Sequence, residues 1–463
     1  MSVRRFPGGF HSQGEKATKR KERHFMHVLV MGAGVVGTTT AWYLRKAGHE
    51  VTVLERRAGA GEETSYANGG QISVSHAEPW ANPQAPLKIL QWLFKDDAPL
   101  LFRLRRDPAQ WRWGLRFLME CTAGRSRHNL IQILNLGTYS RERLQELRRE
   151  TGLDYHQVEK GILHFYTNPG EFQAALEPSR IMREMGCDRQ VIDADEAVRI
   201  EPALRHLRDR IAGATYTADD ESGDAHVFTR RLAQLAADKG VRFLYNTEVK
   251  GLNREGDRIT GVRVIRDGGH EVISADNYVL SLGSYSPMIA RPVGVSLNIY
   301  PAKGYSVTAP VKTPSDAFEV SLTDDEYKLV YSRLGDRLRV AGTAELSGFS
   351  RELNLTRCRA IVRRASEVLP DGAHWEQSEF WTGLRPATPS NVPYVGRTGL
   401  DNLYLNTGHG TLGWTHSCGS GSAIADIIGG RRPELDFAFT GIDNRNGDTH
   451  SRLASTGVSR RNG

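Results

Sequence analysis

The apolar positions along this chain follow two spacings, and their alternation gives the first outline of the fold. Val28-Leu29-Val30-Met31 is a short continuous apolar run, which predicts a strand buried on both faces. It is followed by a helical segment over Thr39-Thr40-Ala41-Trp42-Tyr43-Leu44-Arg45-Lys46, ended by Gly48, and by a second strand, Glu50-Val51-Thr52-Val53-Leu54. Further on, a helix and strand are expected over residues 228–249, and a strand over Tyr278-Val279-Leu280-Ser281-Leu282. Alternation in Leu338-Arg339-Val340-Ala341-Gly342 marks an antiparallel strand. Near the end, Leu403-Tyr404-Leu405-Asn406 reads as a strand, followed by a helix opening near Ser417 and running to Gly429. No run of 18 apolar residues occurs, so no membrane span is expected.

Between the first strand and helix lies Gly32-Ala33-Gly34-Val35-Val36-Gly37, and Glu55 ends the second strand. This β-α-β unit has the requirements of a dinucleotide site. Gly32 permits a tight turn, Gly34 lets the backbone approach a pyrophosphate, and Gly37 lets the helix pack closely on the strand. Unpaired N–H groups at the helix start face the phosphates, and Glu55 can accept from ribose hydroxyls. Ser65-Tyr66-Ala67-Asn68-Gly69-Gly70-Gln71-Ile72-Ser73 is small and hydroxylated, which suits a loop running along an extended dinucleotide. Thr407-Gly408-His409-Gly410-Thr411-Leu412-Gly413-Trp414 is a second glycine-rich turn that presents a helix N-terminus, able to stabilise negative charge. His409 is open to two readings, a contact with cofactor or substrate and a structural role in the turn.

Length and composition then set bounds. The 463 residues suffice for two or three domains, and 39% hydrophobic with 25% charged residues suffices for a sizeable core. The net charge of +7 suggests nucleic acid until its location is considered. Residues 1–25 carry seven basic and two acidic side chains, and residues 441–463 carry four and two, so residues 26–440 are neutral. Both ends are expected to be disordered, no nucleic-acid partner is expected, and Met26 is expected to be the natural start after an over-extended reading frame. Cys121, Cys187, Cys358 and Cys418 show no paired spacing, so neither a disulfide framework nor a metal centre is expected.

The glycine triplet, the string Ser65 to Ser73, Trp381-Thr382-Gly383-Leu384-Arg385-Pro386 and the turn around His409 together resemble the FAD-dependent amine oxidoreductases of the D-amino-acid oxidase superfamily. Within it, they are most similar to the bacterial D-amino acid dehydrogenase small-subunit family. The resemblance covers residues 26–440 and includes Gly283-Ser284-Tyr285-Ser286 and Lys303-Gly304-Tyr305-Ser306. It implies an α/β protein with a Rossmann-like FAD-binding domain of the glutathione-reductase type and a discontinuous antiparallel-sheet substrate domain. Residues 26–79, 226–289 and 376–440 are assigned to the first, and residues 80–225 and 290–375 to the second.

The resemblance further implies noncovalent FAD and oxidation of a D-amino acid, such as D-alanine, to a 2-oxo acid and ammonia, with hydride passing from Cα to flavin N5. Cofactor contacts are expected from Val30, Gly32, Ala33, Gly34, Val35, Val36, Gly37, Glu55, Ser65, Asn68, Gly69, Gly70, Gln71, Ile72, Val249, Gly283, Gly408, Gly410, Thr411, Leu412 and Gly413. Arg385 sits where the family places its carboxylate-binding arginine, whose planar fork pairs with a carboxylate. Tyr305 and Tyr327, the latter expected at a strand start, are candidates to touch substrate beside His409.

The electron acceptor is expected to be a quinone or another respiratory component. Residues 85–120 hold Trp92, Trp111, Trp113, Phe94, Phe102 and Phe117 among seven basic and four acidic residues. They read either as a membrane-interface surface or as a helical hairpin packed on the substrate domain. A cytoplasmic protein, peripheral on the inner face of the inner membrane, would follow from the former. The alternatives are an oxygen-using oxidase of glycine, sarcosine or a 2-hydroxy acid, and a non-catalytic flavin module, such as a tRNA-modification partner.

Overall fold

Val28 and Val30 pack with the core of one sheet face while Leu29 and Met31 pack with that of the other, which explains why this strand is apolar at every position. The computed structural model describes residues 25–92 and 100–442. Residues 1–24 and 443–463, where the disordered ends were expected, lie outside them, as does Phe94.

His27–Met31 is central to a six-stranded sheet. The order is Tyr394–Arg397, Leu403–Thr407, Asn277–Leu280, His27–Met31, Glu50–Leu54 and Arg242–Leu244, parallel except for the first, antiparallel strand. Helices Val35–Lys46, Ala225–Asp238 and Gly413–Ile428 cover one face. A three-stranded antiparallel sheet, Thr247–Glu255, Arg258–Arg266 and Gly269–Ile273, covers the other through Leu252, Val262 and Val264. The last helix starts at Gly413, four residues before the expected Ser417, because glycine and small residues carry helical geometry there without an apolar repeat to announce it.

A second, nine-stranded sheet builds the other half. Its order is Glu379–Ala387, Tyr300–Pro310, Arg337–Leu346, Leu329–Leu334, Ser321–Asp324, Ile162–Tyr166, Gly213–Thr217 and Gln190–Ile192, with Leu100–Phe102 beside Arg337–Leu346. The sheet is mixed: most pairs are antiparallel, but Ser321–Asp324 runs parallel to Ile162–Tyr166, and Leu100–Phe102 runs parallel to Arg337–Leu346. Glu379–Ala387 lies within a segment assigned to the FAD-binding domain, yet it hydrogen-bonds along Tyr300–Pro310 as the edge of this larger sheet. Helix Leu355–Val368 closes one face of the sheet, and the opposite face looks onto a cavity.

The 29-residue helix Ala123–Thr151 is capped at Thr122, whose hydroxyl accepts from Arg125 N–H, and ends at Gly152 in the left-handed conformation. It packs on Gly413–Ile428 so tightly that a Cβ at Gly419 would lie 2.7 Å from Ser140 Cβ. Residues 85–120 form helix Ala85–Trp92, strand Leu100–Phe102 and helix Pro108–Glu120. The four cysteines are unpaired.

Candidate functional site

The glycine turn is built by close packing. Gly32 has φ +104°, and a Cβ there would meet Ser281 O at 2.7 Å, while a Cβ on Gly37 would lie 1.9 Å from Gly32 O. At Gly34 the nearest atom to such a Cβ is Ser65 Oγ at 3.6 Å, so this position adjoins free space. That space is part of a cavity of about 780 Å³ running between the two large sheets, within the size range of small-molecule and cofactor sites.

Gly32, Gly34, Val35, Val36 and Glu55 line the cavity, as does Val249 on the three-stranded sheet. Val30, Ala33, Gly37 and Ile72 do not; they pack behind it. Helix Val35–Lys46 has no side-chain cap at Gly34, and Ser65 Oγ accepts from Val35 N–H at 3.0 Å. The remaining N–H groups of the first turn suit a phosphate. Glu55 accepts from Ala33 N–H and Arg57 N–H, each at 2.9 Å. Burial raises its pKa, but these two bonds and its spare lone pairs suit a carboxylate that takes ribose hydroxyls.

Ser65, Asn68, Gly69, Gly70 and Gln71 carry the next part of the wall. Asn68 Oδ1 accepts from Gly70 N–H at 3.0 Å, and Ser332 Oγ donates to Gly69 O at 2.8 Å. Gln71 Nε2 donates to Leu322 O at 3.0 Å, tying the loop to the nine-stranded sheet. Asp220, fully buried, accepts from Val74 and Ser75 N–H and holds the loop's exit. Nothing in the sequence around Asp220 singles it out.

Gly283 and the turn from Gly408 through Gly410, Thr411 and Leu412 to Gly413 complete this side of the cavity. Helix Gly413–Ile428 also begins without a side-chain cap, so a second positive helix end meets the same cavity. His409 lines the cavity, and its Nε2 lies 3.2 Å from Ser420 Oγ. Burial and the neighbouring His416 push its pKa far down, so it is a neutral ring. Two uncapped helix ends, a ribose-suited carboxylate and glycine walls in one cavity fit FAD.

The opposite wall carries Arg385. Its side chain crosses Gly304, where a Cβ would come within 2.3 Å of the guanidinium. Nη1 donates to Thr343 O at 2.7 Å and Nη2 to Gly342 O at 3.4 Å. Among the described residues no carboxylate forms an ion pair with it; burial lowers its pKa to about 10, with Arg357 adding repulsion. Thr343 itself holds a non-glycine φ of +53°.

The two tyrosines differ. Tyr305 lines the cavity, but its hydroxyl donates to Glu345 Oε2 at 2.6 Å. Burial and Glu345 raise its pKa, so it stays protonated. Tyr327 is outside the cavity wall, 42% exposed, with the Arg364 guanidinium 4.1 Å from its ring centre. It lies in a turn before Leu329–Leu334 and not at a strand start. The next residue, Lys328, lines the cavity in its place, together with Asp325 and His164. Sequence reasoning missed all three, and the only signal was the charge cluster Asp324 to Lys328.

The family profile described as FAD dependent oxidoreductase (DAO) matches residues 27–427. The D-amino acid dehydrogenase of Dechloromonas aromatica (strain RCB) is 56% identical over 415 residues, covering 89% of this chain and 99% of that protein. That of Paramagnetospirillum magneticum (strain ATCC 700264 / AMB-1) is 54% identical over 419 residues, covering 90% and 98%. Among solved structures, glycine oxidase from Geobacillus kaustophilus superposes with a TM-score of 0.67 at 24% identity, covering 91% of this chain and all of that one. L-proline dehydrogenase from P. horikoshii gives 0.69 at 19% identity, covering 89% and 95%. These two likenesses are of fold.

Proposed function

We propose, from the premise that this chain belongs to the FAD-dependent oxidoreductase (DAO) family, that it oxidises D-amino acids to 2-oxo acids and ammonia. The observation that carries this is Arg385, a half-buried cation on the cavity wall whose partners in the described chain are carbonyl dipoles and not a carboxylate. Desolvating a cation without a counter-charge is costly, and a substrate carboxylate supplies that charge. The D-amino acid dehydrogenase names of its relatives favour this substrate class over glycine, sarcosine or a 2-hydroxy acid.

In this reading the six-stranded sheet holds the cofactor and the nine-stranded sheet, including Glu379–Ala387, holds the substrate. Bound FAD supplies the two-electron oxidant. Arg385 anchors the substrate carboxylate and so fixes the orientation of the Cα–H bond. Tyr305, held by Glu345, forms a rigid wall, and the neutral ring of His409 packs the turn where the second helix begins. Water then hydrolyses the imino acid released.

The decisive experiment is anaerobic mixing with D- and L-alanine side by side. D-alanine bleaches the flavin and L-alanine leaves it oxidised; failure of every D-amino acid to bleach it would overturn the reading.

A second observation bears on the acceptor. On helix Pro108–Glu120, Trp113 and Phe117 face inward, while Trp111, Leu115, Leu118 and Met119 are exposed beside Arg112 and Arg116. Exposed Arg103, Leu104, Arg105 and Arg106 precede them. An apolar face rimmed by arginines suits an anionic bilayer surface, and electrons passed to a membrane quinone would follow. Co-sedimentation with anionic vesicles at low salt, lost in Trp111→Glu/Leu115→Glu, tests it. Peroxide formation in air at the rate of substrate oxidation would instead favour an oxidase.

A further inference from the structure

A second group of charged side chains lines the same cavity, and no step above uses it. The pairs are Lys88–Glu171 at 2.7 Å, Arg189–Glu78 at 2.9 Å and Lys328–Asp325 at 3.3 Å. Signs balance, so this lobe is polar without a net charge. His164 lies beside it, its Nδ1 2.8 Å from Asp325 Oδ2.

Two groups in the lobe have unused hydrogen-bonding capacity. Against the pull of burial, the Lys328 ammonium and the His164 hydrogen bond hold Asp325 well below the usual carboxylate range, so it is an anion. Burial lowers His164 to about 4, so its ring is neutral and donates Nδ1–H to that anion. Nε2 is then a lone-pair acceptor, and it is buried without a hydrogen-bond partner among the described residues. Lys328, whose side chain is 43% exposed where it lines the open cavity, has three N–H donors and hydrogen-bonds only Asp325 among the described residues. Its φ of +53° is a conformation that non-glycine residues keep chiefly where the surroundings impose it, often at ligand sites.

The sheet register sets the reach. The Arg385 guanidinium rests on Gly342 and Thr343 of Arg337–Leu346. Leu329 stands opposite Gly342, and Asp324 stands opposite both Leu329 and Phe165. From Arg337–Leu346 to Ile162–Tyr166 is three strand intervals, about 14 Å at about 4.8 Å each. That span ends at the strand of His164, whereas Lys328 lies beside Gly342, its carbonyl O 2.4 Å from where a Cβ on that glycine would stand, so a side chain longer than a methyl group extends from Arg385 toward Lys328 first.

We propose that Lys328 and His164 form a subsite for the substrate side chain that favours D-amino acids ending in a carboxamide. The amide carbonyl accepts from the Lys328 ammonium, and the amide N–H donates to His164 Nε2. A cationic side chain meets Lys328, a carboxylate offers no donor to Nε2, and an apolar one leaves Nε2 unpaired. The inference rests on the D-amino acid reading above.

The test is kcat/KM for D-glutamine and D-alanine with a dye acceptor, in wild type, Lys328→Met and His164→Leu, with flavin content checked for each. The ratio of D-glutamine to D-alanine falls about tenfold in each variant, the effect of one lost hydrogen bond. A variant with a merely structural fault loses both substrates alike and keeps the ratio. Ratios within twofold of wild type, or a wild type that oxidises D-alanine but not D-glutamine, overturn the subsite. If His164→Leu loses its flavin, Lys328→Met decides alone. A wild type that oxidises neither D-amino acid removes the parent reading, which is a different result.

Discussion

In the proposed reading, Arg385 is a single side chain both costly to folding and useful to binding. It is held by Gly342 and Thr343 carbonyls, and no acid of the described chain neutralises it. Arg385→Leu therefore raises KM for D-alanine by about two orders of magnitude or more, since charge-assisted bonds contribute about 1.5–3 kcal/mol each. The flavin spectrum stays intact; steady-state kinetics on flavin-replete protein checks it, and an unchanged KM would remove the anchor. Tyr327→Phe, by contrast, changes kcat/KM less than about twofold, because the ring and not the hydroxyl meets Arg364. His416 gives a pH effect. Burial lowers its pKa from 6.5 to about 4, so below about pH 6.5 the unfolded chain takes up a proton that the folded one refuses. Stability is lost as pH falls from about 6.5 toward about 4, by about 3 kcal/mol from this residue. His416→Gln flattens that acid limb in a plot of Tm against pH.

Among the elements, the turn from Gly32 to Gly37 leaves the least room. A methyl on Gly37 meets a backbone oxygen that cannot swing away, so Gly37→Ala separates helix Val35–Lys46 from the strand and opens the phosphate end. Lower Tm and lower flavin content in the purified variant are expected; full flavin occupancy would show that the turn can re-form. This turn was legible in the sequence because glycine spacing, strand and helix all lie within thirty residues. Gly413–Ile428 was legible only in part: its first turn has no apolar period and no capping residue, and the open N-terminus that hides it from pattern reading is what suits it to a ligand.

At the scale of the whole molecule, the two large sheets are joined through the cavity walls. Gln71 bonds Leu322, while Thr64 and Ser284 both donate to Leu384 O. A ligand filling the space between them stabilises both. Removing FAD lowers Tm, and adding it back at about a hundred times its Kd restores about 2.7 kcal/mol. A Tm independent of FAD concentration would mean that the folded protein does not bind FAD.

What the chain determined by itself is what short-range chemistry controls. The β-α-β unit and both glycine-rich turns rest on spacing within a few residues, and Arg385 stood out through the family motif around it. The neutral body between basic ends needed only a count. What tertiary structure alone decided is which neighbour enters the cavity. Tyr327 and Lys328 are adjacent, and the turn before Leu329–Leu334, held in register against Arg337–Leu346, brings Lys328 to the cavity and leaves Tyr327 outside. His164 and Asp325 are 161 positions apart and meet because Ile162–Tyr166 pairs with Ser321–Asp324. Such juxtapositions come from pairing across the sheet, and no local pattern of apolar and polar residues encodes them.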